Sequence, residues 1–114
     1  MSILEELKLL LNALGFVVET GVFSGMAPNE YCVLIPMSDS FPMFADDLPV
    51  FETQEVRISL FAKQNYTERK NLMVKELLKK GFTITGRYYV GRETDTEYHH
   101  YAIDVQKNYD YYID

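Results

Sequence analysis

Two adjacent histidines are the side chains of this sequence best suited to metal binding or proton transfer. His99 and His100 are the only histidines of the chain, and they lie in a run whose alternation predicts a β-strand. Neighbouring strand residues point to opposite faces of a sheet, so the two rings cannot ligate one ion. Glu97 with His99, or His100 with Asp104, would supply only two ligands on one face. We therefore expect both histidines to be half-buried or hydrogen-bonded strand residues.

One cysteine and three aspartates are the other candidates for chemistry. Cys32 lies in an apolar run, where burial raises the pKa of a thiol and makes it inert. As the only cysteine it cannot form an internal disulfide, which suits a reducing compartment. Asp39, Asp46 and Asp47 lack the spacing of a calcium loop, and we interpret them as solvating acids. A metal enzyme that uses Asp46, Asp47 and His100 remains an alternative, although we find no catalytic motif.

Tyrosine is unusually frequent, and it is concentrated at the end of the chain. Of nine tyrosines, Tyr109, Tyr111 and Tyr112 fall within the last six residues. Tyrosine is enriched in protein–protein contacts, so these three are candidate interface residues. The alternative is a frayed chain end. A stacking platform for single-stranded nucleic acid would need interleaved arginines, which this segment lacks.

Charge is distributed unevenly over the 114 residues, and the formal net charge is −6. Residues 1–57 carry two basic and nine acidic residues, whereas residues 58–114 carry nine basic and eight acidic ones. The densest cationic stretch, Arg69–Lys80, alternates with glutamates and is typical of a solvated helix face. Because phosphate binding needs several free cations, we expect no sequence-specific nucleic-acid binding.

The chain shows none of the features of a membrane or secreted protein. No apolar run approaches the roughly 20 residues of a membrane span. Met1–Leu14 begins with acids rather than lysines and lacks a small-residue cleavage site, unlike a signal peptide. We therefore expect a protein of the cytoplasm that makes no membrane contact.

Hydrophobic periodicity predicts a single α+β domain over residues 1–114, in the order α-β-β-β-α-β-β. Mostly sequential strands with short connections favour a mostly antiparallel sheet with the two helices packed on one face. Capping patterns mark both helix starts, and Gly15 and Gly81 mark both helix ends. The predicted helices are 3–14 and 67–80, and the predicted strands are 16–20, 31–35, 55–62, 82–90 and 98–105.

Met37–Phe51 is predicted to be irregular, since prolines and aspartates interrupt it. It is nevertheless too apolar for a solvated loop, and loops of this kind commonly carry function. We therefore predict an interaction surface here. Its candidate residues are Phe41, Met43, Phe44, Asp46, Asp47 and Phe51.

Three segments resemble small tail proteins of siphophages and prophages. Pro28–Leu34 is similar to their aP-x-x-Y-V-V-L segment, and Gln54–Phe61 is similar to their Q-x-V-R-I-S-L-F strand. Asp95–Val105 resembles the D-T-G-Y-H-H-Y-A-I-D-V signature of Gram-positive prophage proteins. Glu97 stands where that signature has glycine, so the geometry of this turn is expected to differ. Within these tail proteins, the chain resembles the tail terminator, or tail-to-head joining and tail completion, group.

This resemblance implies a structural virion protein rather than an enzyme, with no cofactor and no metal. Members of the group assemble into a ring, typically a hexamer, that caps the tail tube and docks to the head connector. The implied partners are further copies of the chain, tail tube protein and head connector proteins. The implied location is the host cytoplasm during assembly and then the head-proximal end of the virion tail. The alternative is a small prophage-encoded binding or regulatory module that acts on a host protein.

Overall fold

The computed structural model of the chain describes residues 2–21 and 25–111. The two long helices and the long strands follow the predicted order, and a small additional strand pair lies between the second and third of those strands. In chain order the elements are α1 (Ile3–Ala13), β1 (Val18–Thr20), β2 (Glu30–Ser40), β3 (Phe44–Ala45), β4 (Leu48–Pro49), β5 (Phe51–Ala62), α2 (Thr67–Lys79), β6 (Thr83–Arg92) and β7 (His99–Asp110).

Local sequence signals set both ends of α1. The hydroxyl of Ser2 accepts the backbone N–H of Glu5 at 3.3 Å, which satisfies one of the donors left free at a helix start. At the other end Gly15 has φ +90°, and Phe16 N–H donates to the carbonyl of Leu11 at 3.0 Å. This left-handed glycine cap returns Phe16 to the hydrophobic core.

The same cap ends α2. Gly81 has φ +86°, and Phe82 N–H donates to the carbonyl of Leu77 at 3.1 Å. At the start of α2, the side-chain oxygen of Asn65 accepts a hydrogen bond from the N–H of Thr67 at 2.9 Å. Asn65 lies one residue before Tyr66, the cap residue of this helix. The two helices therefore end in equivalent geometry, with a phenylalanine following each glycine into the core.

The five-stranded sheet has the order β1-β2-β5-β7-β6. Only β1 and β2 are parallel, and the other pairs are antiparallel. The short strands β3 and β4 pair with each other as a separate hairpin. The predicted fold class, α+β with a mostly antiparallel sheet, is confirmed.

Both helices cover the same face of this sheet. Leu7 and Leu11 of α1 and Met73 and Leu77 of α2 are fully buried in one hydrophobic cluster. Alternate strand residues complete that cluster, as the period of two requires. These strand residues are Val18, Cys32, Leu34, Val56, Ile58, Leu60, Ile103 and Val105.

The irregular region predicted over Met37–Phe51 is only partly irregular. Strand β2 does not end at Pro36 but continues to Ser40, with a register shift between Pro36 and Ser38. Because β1 covers β2 only at Cys32–Leu34, Pro36 lies on an open sheet edge, where its missing N–H breaks no ladder bond. The prediction of a strand end at this proline was wrong for that reason.

The molecule is elongated along the strands. Its extents are 53 × 27 × 24 Å and its radius of gyration is 15.6 Å, whereas a compact chain of this length has about 13 Å. The long β2 and β5 strands and the β3–β4 hairpin at their end account for this shape. Within the described residues, neither helix is long and apolar enough to cross a membrane.

Candidate functional site

The hairpin at the end of β2 and β5 carries an exposed apolar surface, which we call the arm tip and define as Phe41–Val50. Most of its large side chains are turned to solvent, together with Tyr111 beside it. Exposure of these side chains ranges from 38% to 59%. Such a concentration of exposed apolar side chains is typical of an interaction site. The side chains are Phe41, Met43, Phe44, Leu48, Val50 and Tyr111.

Aromatic contacts hold part of this surface together. Phe41 meets Tyr111 with ring centroids 4.8 Å apart and planes at 72°. It also meets Phe44 at 6.4 Å and 68°. Both are edge-to-face arrangements, which are favourable for aromatic rings. The structure thus brings together residues predicted separately from the irregular stretch and from the tyrosine-rich chain end.

Two aspartates form the turn of the arm tip. Asp46 and Asp47 have φ values of 52° and 65°, so the two-residue connection between β3 and β4 has both central residues in the left-handed region, as in a type I′ turn. Val50 N–H donates to the carbonyl of Met43 at 3.0 Å and closes the hairpin. No lysine or arginine occurs in residues 9–56, so this surface is apolar and acidic.

The remaining predicted interface residues lie elsewhere. Phe51 begins β5 opposite Asp110 and is partly buried. Tyr109 lies in β7 and packs against the hydrophobic core, where burial raises the pKa of its phenol. Tyr112 lies outside the described residues. Of the chain-end tyrosines that the structure describes, Tyr111 is the one that joins the arm tip.

The face of the sheet opposite the helices carries a row of stacked rings. Tyr31, Phe61 and His100 are cross-strand neighbours on β2, β5 and β7. The Phe61 ring lies 4.9 Å from Tyr31 and 4.3 Å from His100, with nearly parallel planes in both pairs. Tyr98 packs edge-on against Tyr31 at 5.3 Å, and its hydroxyl donates to the carbonyl of Pro28.

A charged group lies further along this face. Arg57 donates to Asp104 through Nε at 2.8 Å and Nη2 at 3.1 Å, the two-bond geometry that suits a guanidinium and a carboxylate. Its guanidinium carbon also lies 5.3 Å from the ring centroid of Tyr88. The hydrogen bonds that Arg57 donates to Asp104 are the main reason that the pKa of Arg57 is raised.

The two histidines lie on opposite faces, as predicted. The Nδ1 atom of His99 lies 2.9 Å from the Tyr89 hydroxyl, and its ring lies 5.8 Å from that of Tyr66. Burial lowers the pKa of His100, the positive charge of Arg57 lowers it further, and Glu93 opposes both. Within residues 2–21 and 25–111, no three His, Cys, Asp or Glu side chains are grouped to hold a metal ion.

Cys32 and Arg69 of α2 both serve the packing of the domain. Cys32 is fully buried in the core, and burial raises the pKa of its thiol, as predicted. Arg69, expected on a solvated face, instead binds Glu30 at 3.0 Å and the carbonyl of Leu14 at 3.2 Å. It also covers the Phe16 ring at 4.1 Å. Arg69 therefore joins α2 to β2 and to the end of α1.

Sequence reasoning missed the helix-free face as a possible site. In the sequence of β5, Arg57 and Ser59 alternate with the core residues Val56, Ile58 and Leu60, a pattern that is typical of a strand with one solvated face. Ser59 is instead 1% exposed, and its neighbours across the sheet are Val33 and Ala102. The burial of Ser59 depends on which residues of β2 and β7 lie beside it, and the sequence pattern of one strand does not specify that register.

No protein-family model matches the chain, and no curated protein matches it.

Proposed function

We propose that this protein is a structural component of a phage or prophage tail, a tail terminator or head–tail joining protein that assembles into a ring on the tail tube. The observation that carries the proposal is the arm tip, an exposed apolar and acidic surface at one end of an elongated domain. The resemblance of three sequence segments to such tail proteins supports the same function.

A ring of identical copies requires two different surfaces on each copy, because its contacts are head-to-tail. The arm tip has no cation in its own sequence, and all eleven lysines and arginines lie outside residues 9–56. The helices and β6 carry most of them. This separation supports a contact between unlike surfaces, since complementary charge fixes orientation and partner choice.

The proposed role requires no reaction. The buried Cys32 thiol, the hydrogen-bonded His99 and the stacked His100 each have a structural environment. The acids at the arm tip belong to a tight turn. The protein would therefore act through its surfaces, with self-association and contact with tail tube protein as its activity.

The test uses purified full-length protein and tail tubes of the phage or prophage that encodes it. Sedimentation velocity over a concentration series is expected to show a discrete oligomer, and electron microscopy is expected to show rings at tube ends. Deletion of the gene should give tails of abnormal length. A protein that stays monomeric, leaves tube ends bare and is dispensable for tail length would overturn the proposal. Recovery of one host protein on the arm tip, without incorporation into virions, would instead support a binding module.

A further inference from the structure

An open apolar cleft lies in the helical layer, between α1 and the segment that follows α2. Its volume is about 340 Å³, within the roughly 300–1,000 Å³ of clefts that hold a ligand. Helix α1 contributes Leu9, Leu10 and Ala13 to its lining, and Phe82 contributes an aromatic ring. Phe82 is 4% exposed and Leu9 is 62% exposed, so the cleft has a buried ring at its base and an exposed leucine at its rim.

Two lysines and one glutamate complete the lining of this cleft. Lys107 Nζ lies 4.6 Å from the centroid of the Phe82 ring, and it donates to Glu6 Oε2 at 2.7 Å. Glu6 therefore balances the charge of Lys107. Lys80 is exposed, and none of the ion pairs between described residues includes it. The cleft thus carries one net positive charge, which Lys80 supplies.

The arm tip has the opposite charge and a similar apolar character. Phe44 of β3 is 59% exposed, and Leu48 of β4 is 53% exposed. Between them, Asp46 and Asp47 form the turn of the hairpin, and no ion pair between described residues includes either aspartate. An apolar side chain of this hairpin that enters a cleft therefore brings two carboxylates to the rim of that cleft.

The two surfaces are separate within one copy of the chain. The residues that line the cleft come from α1, from the segment after α2 and from β7, and none comes from the arm tip. Two arm tips would place aspartates against aspartates, and like charges that face each other oppose association. The favourable contact therefore joins the arm tip of one copy to the cleft of another, which is a head-to-tail contact.

We infer that the arm tip of one copy docks in the α1–Phe82 cleft of the next copy, with apolar side chains against Leu9 and Phe82 and with its aspartates beside Lys80. This inference rests on the proposed function, because it names the surface that receives the arm tip in a ring. Repetition of one such contact gives a ring where the rotation between copies closes, and a filament where it does not.

Cysteine cross-linking of the full chain tests this contact directly. Cys32 is the only cysteine and is fully buried, so an engineered thiol is the accessible one. Ala45→Cys places a thiol on the arm tip and Ala13→Cys places one in the cleft, and both alanines are exposed. A mixture of the two variants should form disulfide-linked dimers on mild oxidation, whereas neither variant should do so alone. Met26→Cys replaces Ala13→Cys as the matched control, because Met26 is 98% exposed and lies outside the cleft.

Substitutions in the cleft give a second measurement by sedimentation velocity. Leu9→Ser should weaken self-association about tenfold, since it removes an apolar side chain that becomes buried on docking. Lys80→Gln should weaken it about two- to fivefold at low salt. This difference should disappear at high salt, which screens exposed charges. Met26→Ser should leave self-association unchanged.

The outcomes separate this inference from the proposed function. An unmodified protein that forms a discrete oligomer, with no more Ala45→Cys cross-linking to Ala13→Cys than to Met26→Cys, would overturn the inference and leave the ring proposal standing. Full self-association of the folded Leu9→Ser and Lys80→Gln variants would do the same. A strictly monomeric protein would overturn both. Specific cross-linking in a protein that is absent from tails would support the contact and contradict the tail function.

Discussion

The rings of Phe41 and Tyr111 meet edge to face, 4.8 Å apart between centroids, although they are distant in the chain. Strand pairing causes the contact, because β2 ends beside β5 at Ser40 and Thr53, and β5 begins beside the end of β7. The tyrosine-rich end of the chain and the apolar irregular stretch thus form one surface at the arm tip. A partner that binds one of these segments will contact the other.

The first prediction concerns the proposed role of the arm tip. Phe44 is 59% exposed, so Phe44→Ser should change the free energy of unfolding by less than about 0.5 kcal/mol. If Phe44 becomes buried on association, its removal should weaken assembly at least about tenfold, since a buried phenylalanine contributes about 1.5–3 kcal/mol. Sedimentation velocity measures the assembly, and chemical denaturation measures the stability.

Met26→Ser is the matched control for this experiment. Met26 is 98% exposed and lies in the connection before β2, at the opposite end of that strand from the arm tip and outside the helices and β6. Assembly of this variant should match that of the unmodified protein. Equal losses in both variants, or no loss in Phe44→Ser, would show that the arm tip is not the contact surface.

The helix boundaries and the order of the long elements along the chain were predictable because local signals specify them. Gly15 and Gly81 have the positive φ that a helix-ending glycine adopts, and the alternation of Val56, Ile58 and Leu60 identifies the buried face of β5. The continuation of β2 past Pro36 was not predictable. It depends on β1 being too short to cover that edge, which is a property of the assembled sheet.

The two candidate sites differ in the same way. The arm tip could be predicted, since excess apolar residues in an irregular segment are visible in sequence. The stack of Tyr31, Phe61 and His100 could not, because three separate segments reach one row only through their strand register. The burial of Ser59 has the same origin.

A second prediction concerns the turn before β7. Glu97 has φ 65°, a conformation that costs a non-glycine residue about 1–2 kcal/mol. Its ion pair with Arg92 is 3.7 Å long and exposed, so little is lost with it. Glu97→Gly should therefore raise the free energy of unfolding by about 1 kcal/mol. Glu93→Gly is the control, because Glu93 does not have a positive φ, and it should lower the free energy of unfolding. Denaturant titrations in which Glu97→Gly is destabilising and Glu93→Gly is stabilising would contradict this account.

A third prediction follows from the burial of Cys32. Its thiol pKa is raised by burial, so the unfolded chain loses this proton first, from about pH 8.5 upward. The stabilisation is complete below that pH and declines above it, by about 2 kcal/mol between pH 8.5 and 10. The Cys32→Ala variant will have a different free energy of unfolding at neutral pH, but it should lack the decline that the thiol causes above about pH 8.5. Parallel curves for the two proteins in denaturation series over this pH range would contradict the prediction.

A fourth prediction concerns the titration of His100. Burial is the main cause that lowers its pKa, so the NMR titration midpoint of its ring should fall below 6.5. The neutral ring then stabilises the fold fully above about pH 6.5, and this stabilisation is lost as the pH falls through the lowered pKa. Glu93→Gln should move the midpoint lower, and Arg57→Met should move it higher, because their charges act in opposite directions. A midpoint at or above 6.5 would rule out the buried environment.

The final prediction tests whether the Ser59 hydroxyl is a cost to the folded protein. Because this buried oxygen has no partner among the described residues, Ser59→Ala should raise the free energy of unfolding by about 1 kcal/mol in chemical denaturation. Ser38→Ala, at an exposed position of β2, should change it by less than about 0.5 kcal/mol. A loss of stability in Ser59→Ala would mean that the hydroxyl is already paired. A gain would mean that the buried hydroxyl is unpaired and costs the folded protein stability, which an apolar side chain at this position recovers.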